Sequence, residues 1–525
     1  MATTDRPAAT DGPIDLDRLT LDDVRAGALR GRPVTVLGFA RSGIALARFL
    51  VDAGAEVTIY DGRPAGDLDE AVAALEGRSV RLVAGPDADP ASAWRGASLV
   101  ATSPSINPDF PTTEPRLRAA LRALVEARAG GDRSVPALVS EADLFLRLCP
   151  APTVGVTGTK GKTTTASLAA AILAADLSHP AVLGGNIGIP LVERLPELGP
   201  DHRVVIELSE LQLPTLTRGT TVAVYTNVTA DHLDRHGSLE GYRRVKRRLA
   251  ELVEQSRGAL VLNADDPVVT AYGGPGTAPS VFYRLDRPMP GGVGILDEWI
   301  VAAGVGRLPL AGGGPAATGP GGRIMPAGEL AIPGRHNVSN ALAAIAVGLL
   351  FGVAPDAIRR AAAEFGGVEH RLEPVGLVDG VRFVNDSQGT QPDAVAAALR
   401  AFDPPLVLIA GGRDKGVDLA DLAPVVAERA AAAVLIGESG PELERLFRDA
   451  GLAATHRAPT LDDAVRRADA LARDLLRAGA TEPATVLLSP AAASFDMFVD
   501  YAARGRAFKE AVARLAVERR AGRKR

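Results

Sequence analysis

The segment Thr153-Val-Gly-Val-Thr-Gly-Thr-Lys-Gly-Lys-Thr-Thr-Thr165 holds residue types that can grip a nucleotide phosphate. An apolar run enters a glycine turn, and an Ala/Leu-rich helix leaves it from Thr163. Backbone N–H groups in such a turn face an anion, and the start of the helix adds positive potential. Lys162 would reach the terminal phosphates and the Thr163 hydroxyl suits Mg2+. Gly158, Thr159, Lys160, Gly161, Lys162, Thr163 and Thr164 are therefore candidate nucleotide contacts. The strict pattern asks for glycine where Val156 stands, but the strand–turn–helix context and the Gly-Lys-Thr core remain. An ordinary strand-to-helix turn is the alternative, and no reaction follows from the loop alone.

Lysine is scarce elsewhere. Lys160, Lys162, Lys246, Lys415, Lys509 and Lys524 are the only lysines among 58 basic residues. Arginine is a rigid fork that keeps its proton, whereas lysine is a compact charge that can be deprotonated and modified. The retained lysines thus mark places where that chemistry matters, with Lys509 and Lys524 read as chance.

The elements that must position these groups read as alternating strands and helices. Pro33–Leu50 gives strand, glycine turn and helix, and Ala55–Asp61 a second strand with an acid at its end. Only Gly38 and Gly43 stand in that first turn, short of a full dinucleotide fingerprint, so a nucleotide-type pocket is expected without NAD. Strands are expected at 99–106, 203–209, 221–227 and 259–266, each ending in polar residues. Carboxyl ends of parallel strands gather around a ligand, which puts Glu207, Ser209, Asn227 and the 229–234 segment in one crevice with Lys162. A Gly/Pro-rich stretch between 273 and 328 reads as short β-structure with a flexible insertion around 285–328. Further strands at 381–385, 406–410, 433–436 and 484–489 start a third alternation.

The expectation is an α/β chain of three domains. Residues 1–30 form a disordered or loosely packed leader, 31–136 a Rossmann-like domain that ends in a linker or insertion at 112–136 carrying a helix at 117–129, 137–367 a central P-loop domain with a mostly parallel sheet, and 368–525 a C-terminal Rossmann-like domain. The net charge of −5 supplies no basic field for nucleic acid. A single cysteine, Cys149, excludes an intramolecular disulfide framework and a multi-cysteine metal site. No apolar run reaches spanning length and the N-terminus lacks a signal-peptide core, so a cytoplasmic enzyme is the simplest reading.

Several strings together resemble the Mur ligases. They are Thr157–Thr163, Gly185-Asn-Ile-Gly188, Glu207-Leu-Ser-Glu-Leu-Gln212, Asp231-His-Leu-Asp234, Tyr242-Arg-Arg-Val-Lys246, Arg335-His-Asn-Val-Ser-Asn340, His370-Arg371, Asn385-Asp-Ser387 and Leu488–Ser494, in the family's order. The resemblance implies ATP-dependent amide formation. A UDP-linked carboxylate would be phosphorylated by ATP, and an amino-acid amine would displace the phosphate. By the same resemblance the acceptor is UDP-N-acetylmuramoyl-L-alanine, the amino acid D-glutamate, the setting peptidoglycan precursor synthesis and the enzyme a monomer.

Residue by residue, the resemblance implies that Lys162, Glu207, His232 and Lys246 serve catalysis. Two Mg2+ sites would draw on Thr163, Glu207, His232 and Lys246, the lysine carrying a carbamate derived from CO2. Asn337, Asn340, Arg371 and Asp386 would meet ATP beyond the loop. Ser42, Asp61, Arg63, Asn186, Ser209 and Gln212 would line the UDP-substrate path, and Thr390, Lys415, Ser494, Phe495 and Tyr501 the amino-acid pocket. Taken alone, His232 could merely bond a neighbouring backbone, Lys246 could sit on a solvated basic helix face, and Asn340 could merely cap a helix.

One departure matters. The family type usually shows Asn-Asp-Ser-Lys-Ala-Thr where this chain has Asn385-Asp-Ser-Gln-Gly-Thr390, so a positive charge is missing at Gln388. L-glutamate or another amino acid in place of D-glutamate therefore stays open, as does a P-loop binding module without ligase chemistry.

Overall fold

The computed structural model describes residues 13–229, 238–332, 334–413 and 419–523. The fold is α/β, with three mostly parallel sheets. The chain divides into two compact units, one ending at Phe365 and one starting at Gly366.

The first unit carries two sheets. Strands β1 (Pro33–Leu37), β2 (Glu56–Asp61), β3 (Arg81–Ala84), β4 (Leu99–Thr102) and β5 (Ala137–Ser140) lie in the order β3-β2-β1-β4-β5, all parallel. The order reverses at β1, which opens a crevice beyond the carboxyl ends of β1 and β4. β5 corrects the expected boundary at 136/137, because it completes this sheet instead of starting the next. The helix expected at 117–129 is present as Pro115–Ala129, but it is part of this domain and no linker, since it buries Leu117, Leu121 and Leu124 against the sheet. From residue 13 the leader is packed, not loose. Ile14, Leu16, Leu21, Val24 and Leu29 are buried, and Thr20 and Asp23 form a capping box on the short helix Leu21–Arg25. Their apolar spacing outweighs the polar composition that suggested a free end.

The second sheet comprises β6 (Thr153–Thr157), β7 (Ala181–Gly185), β8 (Arg203–Glu207), β9 (Val222–Tyr225), β10 (Ala259–Asn263), β11 (Ser280–Tyr283), β12 (Val293–Leu296), β13 (Trp299–Ala302) and β14 (Arg323–Pro326). Its order is β14-β13-β12-β11-β10-β9-β6-β8-β7, parallel from β7 through β12 and antiparallel over the last two pairings. The Gly/Pro-rich stretch therefore extends the central sheet by four strands, β11 to β14. All five residues of β6 and of β8 are buried, as expected of strands covered on both faces. The helices Lys162–Ala174 and Arg335–Leu350 pack together on one face. The second is apolar all round after its first turn and a half, the pattern of a helix enclosed by protein, and its polar start Arg335–Asn340 remains at the sheet's carboxyl edge.

In the second unit β15 (Glu373–Val378), β16 (Val381–Asn385), β17 (Leu406–Gly411), β18 (Ala432–Ile436), β19 (Thr455–Arg457) and β20 (Ala484–Leu488) run β15-β16-β20-β17-β18-β19. Only β15 is antiparallel, forming a hairpin with β16. The helix Leu461–Arg477 and the terminal helix Tyr501–Arg523 share one face. β3, β5, β7, β15 and β19 were not expected from sequence; each lies at the edge of its sheet.

Candidate active site

β6 ends at Thr157, and residues 158–161 turn into the helix Lys162–Ala174 with Gly161 at φ +84° as its N-cap. The loop is stitched to the end of β9. Thr159 N donates to Asn227 O (2.8 Å) and Lys160 N to Asn227 Oδ1 (2.9 Å). The Lys160 carbonyl accepts from Thr226 Oγ1 (2.6 Å) and Asn227 Nδ2 (3.0 Å). Lys160 thus ties the loop to Thr226 and Asn227 through its backbone N–H and carbonyl. Thr159 Oγ1 lies 3.0 Å from the Tyr242 hydroxyl. Lys162 Nζ donates to the carbonyls of Gly158 (3.0 Å) and Thr159 (2.9 Å), holding the ammonium over the turn, and Thr163 is buried beside it. Thr164 is half-buried on the next turn.

Asn340 is not a cap, since Gly334 holds that place. It lies inside the helix, where its Oδ1 accepts from Thr165 Oγ1 (3.3 Å) and its Nδ2 donates to Asn337 Oδ1 (3.2 Å). The pair of asparagines therefore sits against the phosphate loop.

Glu207 closes β8 beside β6, paired in register with Val156, and is only 2% exposed. Its Oε1 accepts from Asn186 Nδ2 at 2.9 Å. Its Oε2 is buried and has no hydrogen-bond partner among the described residues. A buried carboxylate oxygen left so costs several kcal/mol unless a cation answers it. No group of three His, Cys, Asp or Glu exists among the described residues that could cage a metal. One carboxylate oxygen next to a phosphate loop fits Mg2+, which binds through one or two carboxylates plus phosphate oxygens and keeps waters. Asn186, expected along the substrate path, is bonded to this carboxylate.

Lys246 lies on the helix Leu239–Gln255 and is fully buried, so the solvated-face alternative is excluded. Its Nζ donates to Thr157 Oγ1 (3.3 Å), at the base of the phosphate loop, and stands 5.4 Å from the Tyr242 ring centroid. The Tyr225 hydroxyl donates to the Lys246 carbonyl (2.7 Å) and accepts from Ala250 N (2.9 Å). His232 falls in 230–237 and Lys415 in 414–418, both outside the described residues.

At the first sheet, Asp61 ends β2 and accepts from Phe39 N (2.8 Å), so it fixes the Gly38 turn. Arg63 returns two bonds to Asp61, at 3.0 and 2.9 Å, and one to Phe39 O (3.1 Å). Burial alone would raise Asp61, but the Arg63 guanidinium and the N–H groups of Arg63 and Phe39 hold it below the usual carboxylate range. Ser42 lies half-buried in the first turn of the helix Arg41–Asp52. A cavity of about 350 Å3 opens beside them, lined by Gly38, Tyr60, Asp61, Ser105, Thr113 and Leu211 among others. Ser209 and Gln212 are buried and bonded together, Gln212 Oε1 accepting from Ser209 N (2.9 Å) and Oγ (3.1 Å).

In the second unit the loops after β16 and β20 come together, and the end of β17 is bonded to the second of them through Gly411 N to Pro490 O (2.8 Å) and Arg413 N to Ala493 O (2.9 Å). Arg371 is exposed and flanked by His370 at φ +64° and Leu372 at φ +45°, a backbone that non-glycine residues adopt only under constraint. Asp386 accepts from Ser489 Oγ (2.6 Å) and Leu372 N (3.2 Å), and burial pushes its carboxyl up to about 6. Thr390 is half-buried, Ser494 buried and Phe495 61% exposed. The Tyr501 hydroxyl lies 3.5 Å from Gln388 Nε2, and Gln388 Oε1 is buried without a partner among the described residues. Sequence reading missed Arg504, which binds the backbone of two of these loops; a lone arginine in an apolar helix face was the available signal.

Comparison with known proteins follows the same map. The Mur ligase middle-domain model matches residues 156–348, and the Mur ligase glutamate ligase domain model matches 370–492. The chain is 38% identical over 496 residues to the UDP-N-acetylmuramoylalanine–D-glutamate ligase of Symbiobacterium thermophilum, covering 93% of this chain and 99% of that protein. The chain belongs to the Mur ligase family. The enzyme of the same name from Pelotomaculum thermopropionicum is 37% identical over 487 residues, with coverage of 92% and 97%. In fold, this Mur ligase matches the crystal structure of the UDP-N-acetylmuramate-alanine ligase of Thermotoga maritima with a TM-score of 0.50 at 19% identity, over 91% of this chain and 98% of that one. As a Mur ligase the chain uses ATP with Mg2+.

Proposed function

We propose that the chain joins the amine of D-glutamate to the alanyl carboxylate of UDP-N-acetylmuramoyl-L-alanine, with ATP converted to ADP and phosphate, in peptidoglycan precursor synthesis. The observation that carries this reading is the pairing of a phosphate loop with Glu207, a buried carboxylate whose Oε2 is unpartnered among the described residues. Relatives bearing this name over nearly the whole chain support the substrate assignment.

In the forward direction an acceptor carboxylate oxygen attacks the γ-phosphorus and ADP leaves, giving an acyl phosphate. The glutamate amine then attacks the acyl carbon, phosphate departs and the amine loses a proton. Both reactants of the first step are anions, so positive charge must be concentrated between them. Magnesium, when bound, neutralises the phosphoryl oxygens. The Thr163 hydroxyl, the Glu207 carboxylate and His232 are the groups assigned to hold it at two sites. The loop N–H groups and Lys162 orient the phosphates, and Asn186 fixes the rotamer of Glu207 through its 2.9 Å bond.

Lys246 is assigned as a carbamate. A fully buried ammonium near two divalent cations would be repelled, whereas a carbamate formed with CO2 reverses its sign and can order the cation site. Asn337, Asn340, Arg371 and Asp386 serve ATP; Ser42, Asp61, Arg63, Ser209 and Gln212 serve the UDP substrate. Thr390, Lys415, Ser494, Phe495 and Tyr501 serve glutamate. The enzyme is read as a cytoplasmic monomer; no helix of the described residues is long and apolar enough to cross a membrane.

The decisive assay is ADP release with UDP-N-acetylmuramoyl-L-alanine against a panel of D- and L-amino acids. Release that depends on D-glutamate is expected. Activity with L-glutamate alone would overturn the stereochemistry, and release independent of any amino acid would leave a nucleotide-binding module without ligase chemistry.

A further inference from the structure

Arg504 is 1% exposed, yet none of its hydrogen bonds goes to a carboxylate. Nε donates to Ser387 Oγ (3.0 Å) and Nη2 to Ser387 O (3.0 Å), both in the loop after β16. Nη1 donates to Ala492 O (3.3 Å) and Ala493 O (3.2 Å), and Nη2 also to Ala492 O (3.2 Å), in the loop after β20. Ser387 Oγ in turn donates to Tyr501 O (2.7 Å), one helical turn before Arg504. The guanidinium therefore ties together the segments that carry Gln388, Thr390, Ser494 and Tyr501.

Neutral acceptors would satisfy a neutral donor equally well, and burying a cation without a counter-charge is costly. The nearest acid in influence, Asp496, spends its Oδ2 on Glu438 N (2.9 Å). Asp496 acts on Arg504 through its charge, without a hydrogen bond to it, so the positive charge beneath these loops meets only hydroxyl and carbonyl oxygens at contact range. Its location matters because the neighbouring position 388 is a neutral glutamine where the resemblance led one to expect lysine.

We propose that Arg504 is a positioning residue of the amino-acid pocket whose buried charge replaces the missing cation at Gln388 and holds the carboxylates of glutamate from behind the loops. The proposal rests on the assignment of this pocket to glutamate. Arg504 touches no substrate. Its carbonyl-directed fork sets the two loops, and its charge acts across them, where low dielectric leaves it poorly screened.

Arg504→Gln and Arg504→Lys separate the two contributions in the full-length enzyme, read as KM for glutamate, KM for ATP, KM for the muramoyl substrate and kcat. Arg504→Gln keeps donors and removes charge, and should raise the glutamate KM at least tenfold with the other two KM values within about threefold. Arg504→Lys keeps charge and should restore most of the glutamate KM. Equal glutamate KM values in the two variants, or a parallel rise in all three KM values, would overturn the proposal in favour of a purely structural arginine. If Arg504→Gln does not fold, the lysine variant decides: a glutamate KM within about fivefold of wild type supports the charge role, and a larger rise refutes it. Failure of the underlying assignment would look different, since the wild type would then release ADP without any dependence on glutamate.

Discussion

The side-chain oxygen of Asn340 occupies the space that a Cβ on Gly161 would need, so a residue 179 positions downstream in sequence sets the shape of the phosphate loop. Gly161 also has φ +84°, which a side chain adopts only with strain. Gly161→Ala is expected to cost about 1–3 kcal/mol and to displace Asn340 and the loop together. Nucleotide affinity should fall at least tenfold in calorimetric titration of an ATP analogue; unchanged affinity would refute the steric account.

Glu207→Gln offers the opposite balance. The amide keeps the bond to Asn186 and removes a buried charge whose second oxygen lacks a partner among the described residues. The variant should melt no lower than wild type, while kcat falls on the order of a thousandfold, as loss of several kcal/mol of metal-based charge stabilisation implies. A destabilised protein with near-normal turnover would contradict the assignment.

Lys246→Ala should abolish ADP release and regain part of it when a short carboxylate such as acetate is supplied. The same carboxylate should do nothing for wild type. Full activity in the unsupplemented variant would exclude an anion formed on this lysine.

Glu141 supplies a pH test away from the chemistry. It opens the helix Glu141–Leu148, is buried, and receives only a long 3.4 Å bond from Val192 N. Burial pushes its carboxyl from the ordinary 4.5 to about 7, against the pull of that N–H and of Arg41. Below pH 4.5 both folded and unfolded chains hold the proton; between 4.5 and about 7 the unfolded chain releases it first, so stability falls as pH rises through that window. At about 1.4 kcal/mol per pH unit, Glu141→Gln should stabilise the first unit by up to about 3 kcal/mol at pH 8 and by almost nothing at pH 4.5. Denaturant titrations at the two pH values would show it; equal gains at both would not fit.

Much of this was legible in the sequence because parallel α/β sheets announce themselves. Continuous apolar strands ending in polar residues located Glu207, Asp61 and Asn385, and the glycine-lysine-threonine turn located the phosphate loop. Three kinds of feature were hidden. Edge strands such as β15 and β19 alternate weakly, since one side of each lacks a neighbour. The packed leader failed to register because five buried apolar residues are diluted among acids and glycines. Arg504 was missed because its partners are backbone carbonyls and a single hydroxyl, which leave no charge pattern in the sequence. Pairings within motifs, such as Asp61 with Arg63 or Ser209 with Gln212, show in turn that residues marked as ligand contacts also hold one another.

The Tyr225 hydroxyl engages the carbonyl of Lys246 and the N–H of Ala250, the two groups that an α-helix ordinarily pairs with each other. A strand of the central sheet therefore grips the lysine-bearing helix by a single rung of its own ladder. Such a grip works as an index mark: the helix can neither rotate nor slide by a residue without surrendering two bonds in a dry interior. Lys246 has a long and mobile side chain, but its point of origin is fixed to the strand that also ends at the phosphate loop's anchor, Thr226 and Asn227. The reach from the modifiable amine to the phosphate loop is in this way written into the sheet, and a small change at this tyrosine would retune it.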